Sequence, residues 1–383
     1  MHSETVTEFN LYVYLFNYFT METKYGTINR DKFIGIFLIS VNLLGCTAAI
    51  TGNDCKHTNT PGVCTKDCEK TSKLEKNKEE NKEENKYDDK YKGKEYEDKD
   101  NKNVKYVKKT KIFNIEEALE QCSKQGLGIP LPESDYRIQT LNRRGATSPV
   151  LDRLTLEFME FSKYKRVLEI GGAYGKVMIE VLKKHPNTVY HLNDIEEKHL
   201  FIAANEAILQ KIEESALKNI RLLAFDISEK TDVEEHDIIE KYDAILVARV
   251  LHFLSPFQIT IAIKNLYNML KSEGRVYVIA VSPYVKRYES FIPEYERRLA
   301  NNEQFPGYVE SLQKWLNKDV TSASQIASIS EGPFMFFDKN FLETIFQKNN
   351  FKIKKCEFME LGYYSTSWSL DDREYVTLVA EKQ

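Results

Sequence analysis

Three acids, one run of small residues and one histidine in the second half of this chain are spaced as a ligand site would need them. Glu169 stands two residues before Gly171-Gly172-Ala173-Tyr174-Gly175. The apolar run Arg166–Ile170 leads into that turn, and KVMIEVLKKH follows it. Small side chains let the backbone approach a ligand closely, and a helix start offers N–H groups with no partner of their own. Asp194 closes the next apolar run, Thr188–Leu192. A carboxylate there can take both hydroxyls of a ribose, or it caps the helix that follows. Asp226 closes a third run, Ile220–Phe225, and is either a ligand contact or a turn residue. His252 lies just beyond a fourth run, Tyr242–Ala248. A general base for a nucleophile that must lose a proton would sit there; the alternative is a histidine that packs locally.

These residues are useful only if the elements between them form a sheet with its strand ends side by side. Apolar runs alternate with helical periodicity throughout this region, which predicts an α/β fold with a mostly parallel sheet and helices on both faces. Later strands are expected at 275–281, 351–358 and 374–381. A helix starts at Ser255-Pro256 and ends at Gly274, and Asp338 caps another. Upstream, IFNIEEALEQCSKQ reads as an amphipathic helix between an Asn114 cap and a Gly126 stop. A second helix begins near Ser148 with Pro149 in its first turn. Arg143, Arg144 and Thr147 lie in the intervening turn, either to contact a ligand or to solvate the connection.

The glycine turn does not fit the dinucleotide pattern, since Lys176 takes the place of its last glycine. It resembles the first motif of class I S-adenosylmethionine (SAM)-dependent methyltransferases, E-x-G-x-G-x-G, with Ala173 for the middle glycine. The resemblance spans about Leu151 to Lys382. It implies a seven-stranded sheet whose last strand inserts antiparallel, with SAM as cofactor. By the same resemblance Glu169 helps hold the methionine ammonium, while Gly171, Gly172, Ala173 and Gly175 form the turn. Asp194 would meet the ribose and Asp226 and Ile227 the adenine, with Ile195 and Ala248 also expected among the cofactor-binding residues. Val250-Leu251-His252 resembles the segment after the fourth strand in many small-molecule enzymes of the family.

The region after the fourth strand holds no D/N-P-P-Y/F motif, no Pro-Cys nucleophile and no acid pair for a metal. A methyl acceptor on a small molecule, at oxygen or nitrogen, is therefore expected, with a protein side chain as the alternative and nucleic acid disfavoured. The formal net charge of -4 points the same way. An aromatic-rich helical insertion at 282–337, containing Tyr284, Tyr288, Phe291, Tyr295, Phe305, Tyr308 and Trp315, is expected either to cover the site as a lid or to build its own core. Gly362-Tyr363-Tyr364 would close the same pocket.

The domain boundaries follow from composition. Residues 1–50 carry a hydrophobic signal or anchor, FIGIFLISVNLLGCTAAI at 33–50, and 51–110 form a charged linker. A helical cap covers 111–165, and the SAM-binding domain covers 166–383. The preferred arrangement is membrane association through 33–50 with the catalytic domain on the cytoplasmic side. The alternative is an exported lipoprotein lipidated at Cys46, serving as a catalytically silent SAM-fold binding module. Cysteine spacing shows no zinc pattern.

Overall fold

Side-chain alternation along the central strands divides the core into two layers, one on each face of a single large sheet. On the strand Tyr242–Ala248, Ala244 and Leu246 point into one layer and Ile245 and Val247 into the other, while Tyr242, before a register shift in the pairing, joins the second layer. Successive residues of a strand face opposite sides, so a strand buried on both faces reads as an unbroken apolar run. The computed structural model describes residues 110–383 apart from 133–136, 148–149, 230–238, 240, 328, 330–331 and 361–366.

In chain order the strands are β1 (Lys111–Phe113), β2 (Ile138–Gln139), β3 (Ala146–Thr147), β4 (Arg166–Ile170), β5 (Val189–Asn193), β6 (Ile220–Ala224), β7 (Tyr242–Ala248), β8 (Leu270–Val281), β9 (Tyr308–Val309), β10 (Phe334–Met335), β11 (Phe351–Met359) and β12 (Tyr375–Lys382). The helices are α1 (Ile115–Gln125), α2 (Arg153–Phe161), α3 (Lys176–Lys184), α4 (Glu197–Leu209), α5 (Glu214–Leu217), α6 (Pro256–Met269), α7 (Ile292–Ala300), α8 (Ala323–Ala327) and α9 (Lys339–Gln347). The main sheet has the order β1-β6-β5-β4-β7-β8-β12-β11. Strands β6, β5, β4, β7 and β8 are parallel, and β12 runs antiparallel between β8 and β11. Buried residues of α1–α4 share one layer, and those of α6 and α9 share the other.

The expected α/β fold with an antiparallel last strand is present, and the sheet has eight strands rather than seven. The extra strand is β1, which adds antiparallel to β6 through Lys111↔Ala224, Ile112↔Leu223 and Phe113↔Leu222. Three residues are too few to show a strand period, so this stretch reads as the approach to α1. The segment expected to be a helical cap also contains the β2–β3 hairpin, with Ile138 opposite Thr147. Helix α1 has the expected ends: Asn114 and Glu117 exchange hydrogen bonds in a capping box, and Gly126 closes it in the left-handed conformation. Helix α2 starts later than expected, with Asp152 as its cap; Ser148 and Pro149 lie outside the described residues. Helix α6 begins with the expected Ser255 cap and Pro256, but it ends at Met269. Strand β8 starts at Leu270, so Gly274 lies within a strand rather than at a helix end. Asp338 caps α9 through Phe341 N–H.

The insertion between β8 and α9 mixes short helices with the β9–β10 pair. Tyr288, Phe291 and Tyr295 are buried in its interior. Phe291 lies 5.0 Å from Trp315 and 5.3 Å from Phe336 between ring centroids. Most of the expected lid aromatics therefore build a core. No helix among the described residues is long and apolar enough to cross a membrane. The 33–50 segment, Cys46 and Gly362-Tyr363-Tyr364 lie outside those residues.

Candidate functional site

The carboxyl ends of β4, β5, β6 and β7 converge on one cavity of about 350 Å³. That is within the usual range for a small-molecule site. Glu169, Gly171, Gly172 and Ala173 line it from β4 and its turn; Asp194 and Ile195 from β5; Asp226 and Ile227 from β6; Ala248 from β7. Gly175 and His252 are the two expected site residues that do not line it. Gly175 instead starts α3 with φ 72°, and a Cβ there would come within 2.9 Å of Ala203 Cβ. It sets the turn against α4.

The turn itself has little freedom. A Cβ on Gly172 would lie 2.2 Å from Leu192 Cδ1 and 2.8 Å from Glu169 Cδ. Ala173 sits at φ 46°, a left-handed conformation that costs an L-residue about 1 kcal/mol. What holds Ala173 there is Asp194, whose Oδ2 accepts its N–H at 3.0 Å.

Asp194 is clamped on its other oxygen as well. Oδ1 accepts from Glu196 N–H at 2.9 Å and meets His199 Nδ1 at 3.0 Å. The cap of α4 is Glu196, so Asp194 supports the helix start without being its cap. A carboxylate has about four acceptor sites, and these contacts fill Oδ1 and leave one on Oδ2. Oδ2 can thus accept one further hydrogen bond, whereas the sequence predicts both oxygens to accept from ribose hydroxyls. Asp226 Oδ1 accepts from Ser228 N–H and Oγ, at 2.8 and 2.6 Å, leaving Oδ2 for another donor.

Glu169 is almost fully buried at the base of the turn. Burial pushes its carboxyl up to about 8, although Tyr190 donates its hydroxyl to Oε2 at 2.8 Å. A buried carboxyl in this state wants a cation beside it.

Several wall residues carried no sequence signal. Arg249 follows Ala248 directly, has φ 61°, and is fixed by Asp152 at 3.0 Å. Asp152 is also the α2 cap, so one carboxylate ties the cap helix to the end of β7. Only a tertiary contact reveals that role. Arg144 and Thr147 of the β2–β3 hairpin line the cavity, whereas Arg143 does not.

His252 faces a second, smaller chamber next to the first. Burial, then the nearby Arg249 charge, push its imidazole down to about 3, so the ring is neutral. Its centroid is 4.2 Å from Phe253 and 4.8 Å from Phe334.

Residues 168–276 match the family model described as a methyltransferase domain. A protein of Dictyostelium discoideum named O-methyltransferase 4 is 29% identical over 97 residues, 25% of this chain and 24% of that protein. The chain thus spans about a quarter of the length of this curated relative. Among solved structures, a SAM-dependent methyltransferase of Methanosarcina mazei aligns with 61% of this chain and 98% of its own, at 14% identity and TM-score 0.43. The 1,6-didemethyltoxoflavin-N1-methyltransferase of Burkholderia thailandensis, with S-adenosylhomocysteine bound, aligns with 60% and 77% at 13% identity and TM-score 0.38.

Proposed function

We propose that this protein is a SAM-dependent methyltransferase acting on an oxygen or nitrogen atom of a small molecule. One observation carries the reading. A single cavity gathers a buried carboxyl, a left-handed small-residue turn and two further acids, each at the end of a successive parallel strand.

The residues present fit the cofactor by chemistry. Glu169 suits the ammonium, since ionising beside a cation relieves the cost of a buried charge. Asp194 Oδ2 has one acceptor site for a ribose hydroxyl. Asp226 Oδ2 suits an exocyclic amine, and Ile195 and Ile227 supply apolar contact for a flat ring. When bound, SAM supplies an electrophilic methyl group on a sulfonium.

The chain then has to hold an acceptor in line and keep water out, and proximity can lower such a barrier by several kcal/mol (roughly 7–11 at most). Arg249 and Phe253 form part of the wall shared by the two chambers. The second chamber, at about 130 Å³, takes a small ring and not a folded partner. His252, held neutral with so little affinity for a proton, serves the acceptor as a hydrogen-bonding wall rather than as its base.

Calorimetric titration of the full chain with SAM tests this, beside Asp194→Ala and Ile195→Asp. Ile195 is 39% exposed, so its substitution leaves the fold intact while placing a charge at the nucleoside wall. The expected result is micromolar binding, weakened at least tenfold in both variants. Absence of binding to a chain with intact circular dichroism would overturn the proposal.

A further inference from the structure

The second chamber has a composition of its own. Four arginines line it, Arg137, Arg144, Arg249 and Arg287, and no acid among the described residues does. The Arg249 charge is answered by Asp152, on the side of the larger cavity. Arg287 is 3% exposed, donates Nη2 to Ser367 Oγ at 2.8 Å and lies over the Trp368 ring. Arg144 stands exposed at the rim shared by both chambers.

Three residues that line this chamber each hold a buried polar atom with no hydrogen-bond partner: Gln139 Nε2, His252 Nδ1 and Trp368 Nε1. Each comes from a different part of the chain, the β2 strand, the turn after β7 and the approach to β12. Leaving a buried polar group unmet costs about 1–3 kcal/mol, so three in the walls of one small space call for an occupant. The amide and indole N–H groups are donors, and the guanidinium groups carry donors only. Their common complement is a group that accepts several hydrogen bonds and bears negative charge.

The remaining walls are flat. Phe253, Phe334 and Trp368 supply aromatic faces. The volume, about 130 Å³, is close to that of a protein cavity known to hold one benzene, about 150 Å³. A planar carboxylate fits this space and these donors.

We infer that the methyl acceptor is a small aromatic carboxylic acid bearing a ring hydroxyl or amine, seated with its ring among Phe253, Phe334 and Trp368 and its carboxylate toward Arg287, Gln139 and Trp368. The ring oxygen or nitrogen forms the bond to the methyl carbon as the methyl–sulfur bond of SAM breaks, leaving S-adenosylhomocysteine, and its proton passes to solvent. This rests on the methyltransferase reading for the word acceptor; the anion site itself stands on the chamber alone.

Benzoate, benzamide and benzylamine serve as probes of the full chain, by calorimetry or ligand-observed NMR, and S-adenosylhomocysteine is titrated into the same preparation. Benzoate should bind at least tenfold more tightly than benzamide, and benzylamine should not bind. Arg144→Ala, at the exposed rim, should weaken benzoate about threefold or more and leave benzamide unchanged. Trp368→Phe should weaken benzoate by removing one donor while keeping the ring. Equal binding of benzoate and benzamide would overturn the inference. So would failure of benzoate to bind a chain that takes up S-adenosylhomocysteine, and the methyltransferase reading would survive that result. Benzoate binding without S-adenosylhomocysteine binding would keep the anion site and remove the cofactor reading.

Discussion

Glu169 is a residue whose local chemistry makes a pH prediction. Its carboxyl is raised to about 8 in the folded chain, chiefly by burial, against about 4.3 in an unfolded one. The folded state therefore binds more protons between these values. Stability of the ligand-free protein is greatest below about pH 4.5 as far as this group is concerned, and it falls as pH rises toward 8. A Glu169→Gln variant should show a flatter dependence of Tm on pH across that window. On the proposed function, cofactor binding should have the opposite slope, tightening toward pH 8, because the ionised form would meet the ammonium. At pH 7 binding should release a proton, visible as a heat that changes with the ionisation enthalpy of the buffer. A slope unchanged in Glu169→Gln would mean that another group titrates. Ala173 gives a second prediction at the same scale. Its φ of 46° suits glycine better than alanine, so Ala173→Gly should raise stability by about 0.5–1 kcal/mol in denaturant melts. Sequence reading placed nine of eleven site residues on one cavity because acids and small residues at strand ends are local signals. It missed the filling of Asp194 Oδ1 by Glu196 and His199, since hydrogen-bond capacity depends on partners brought in by folding.

At the scale of elements, the parallel strands were legible because each is a short apolar run bounded by an acid or a turn residue. Strand β1 was not, since its three residues gain their identity from the edge of β6 and not from their own pattern. The start of β8 was misplaced for a related reason. Gly274 resembles a helix stop, but a Cβ there would lie 2.9 Å from the backbone oxygens of both Lys271 and Tyr242, so the residue serves close strand packing. The insertion shows the same dependence on context at Gly307. A Cβ on that residue would fall 1.9 Å from the Phe336 carbonyl oxygen, a clash with backbone that no rotamer relieves. Gly307→Ala should cost about 2–3 kcal/mol and lower Tm accordingly. Because Phe336 and Phe334 belong to one aromatic cluster with centroids 4.9 Å apart, the same variant should loosen the second chamber. Weaker benzoate binding with cofactor affinity unchanged would place the damage in the insertion. Loss of both would show that the insertion and the main sheet unfold together.

For the whole molecule, the arrangement of layers decides where the chain can be cut. Strand β1 covers the otherwise open edge of β6, and α1 packs Ile115, Ala118 and Cys122 into the same layer as α4. The β2–β3 hairpin contributes Gly145, Ala146 and Thr147 to the cavity wall. These pieces precede the region that matches the methyltransferase family model, yet the sheet depends on them for a closed edge and the site for one side. A fragment from Lys105 to Gln383 retains all of them and should fold and keep the affinity of the full chain for SAM. A fragment from Asp152 to Gln383 keeps every strand-end acid but exposes the backbone of β6 and the apolar faces that met α1. It should aggregate, or bind SAM at least tenfold more weakly, because an unpaired strand edge recruits other chains and an unwalled cavity leaves the ligand in water. Size-exclusion chromatography and calorimetry on the two fragments separate the outcomes. Equal behaviour would mean that the N-terminal helix and strands only decorate the sheet. Failure of the longer fragment alone would mean that residues before Lys105 contribute to its stability.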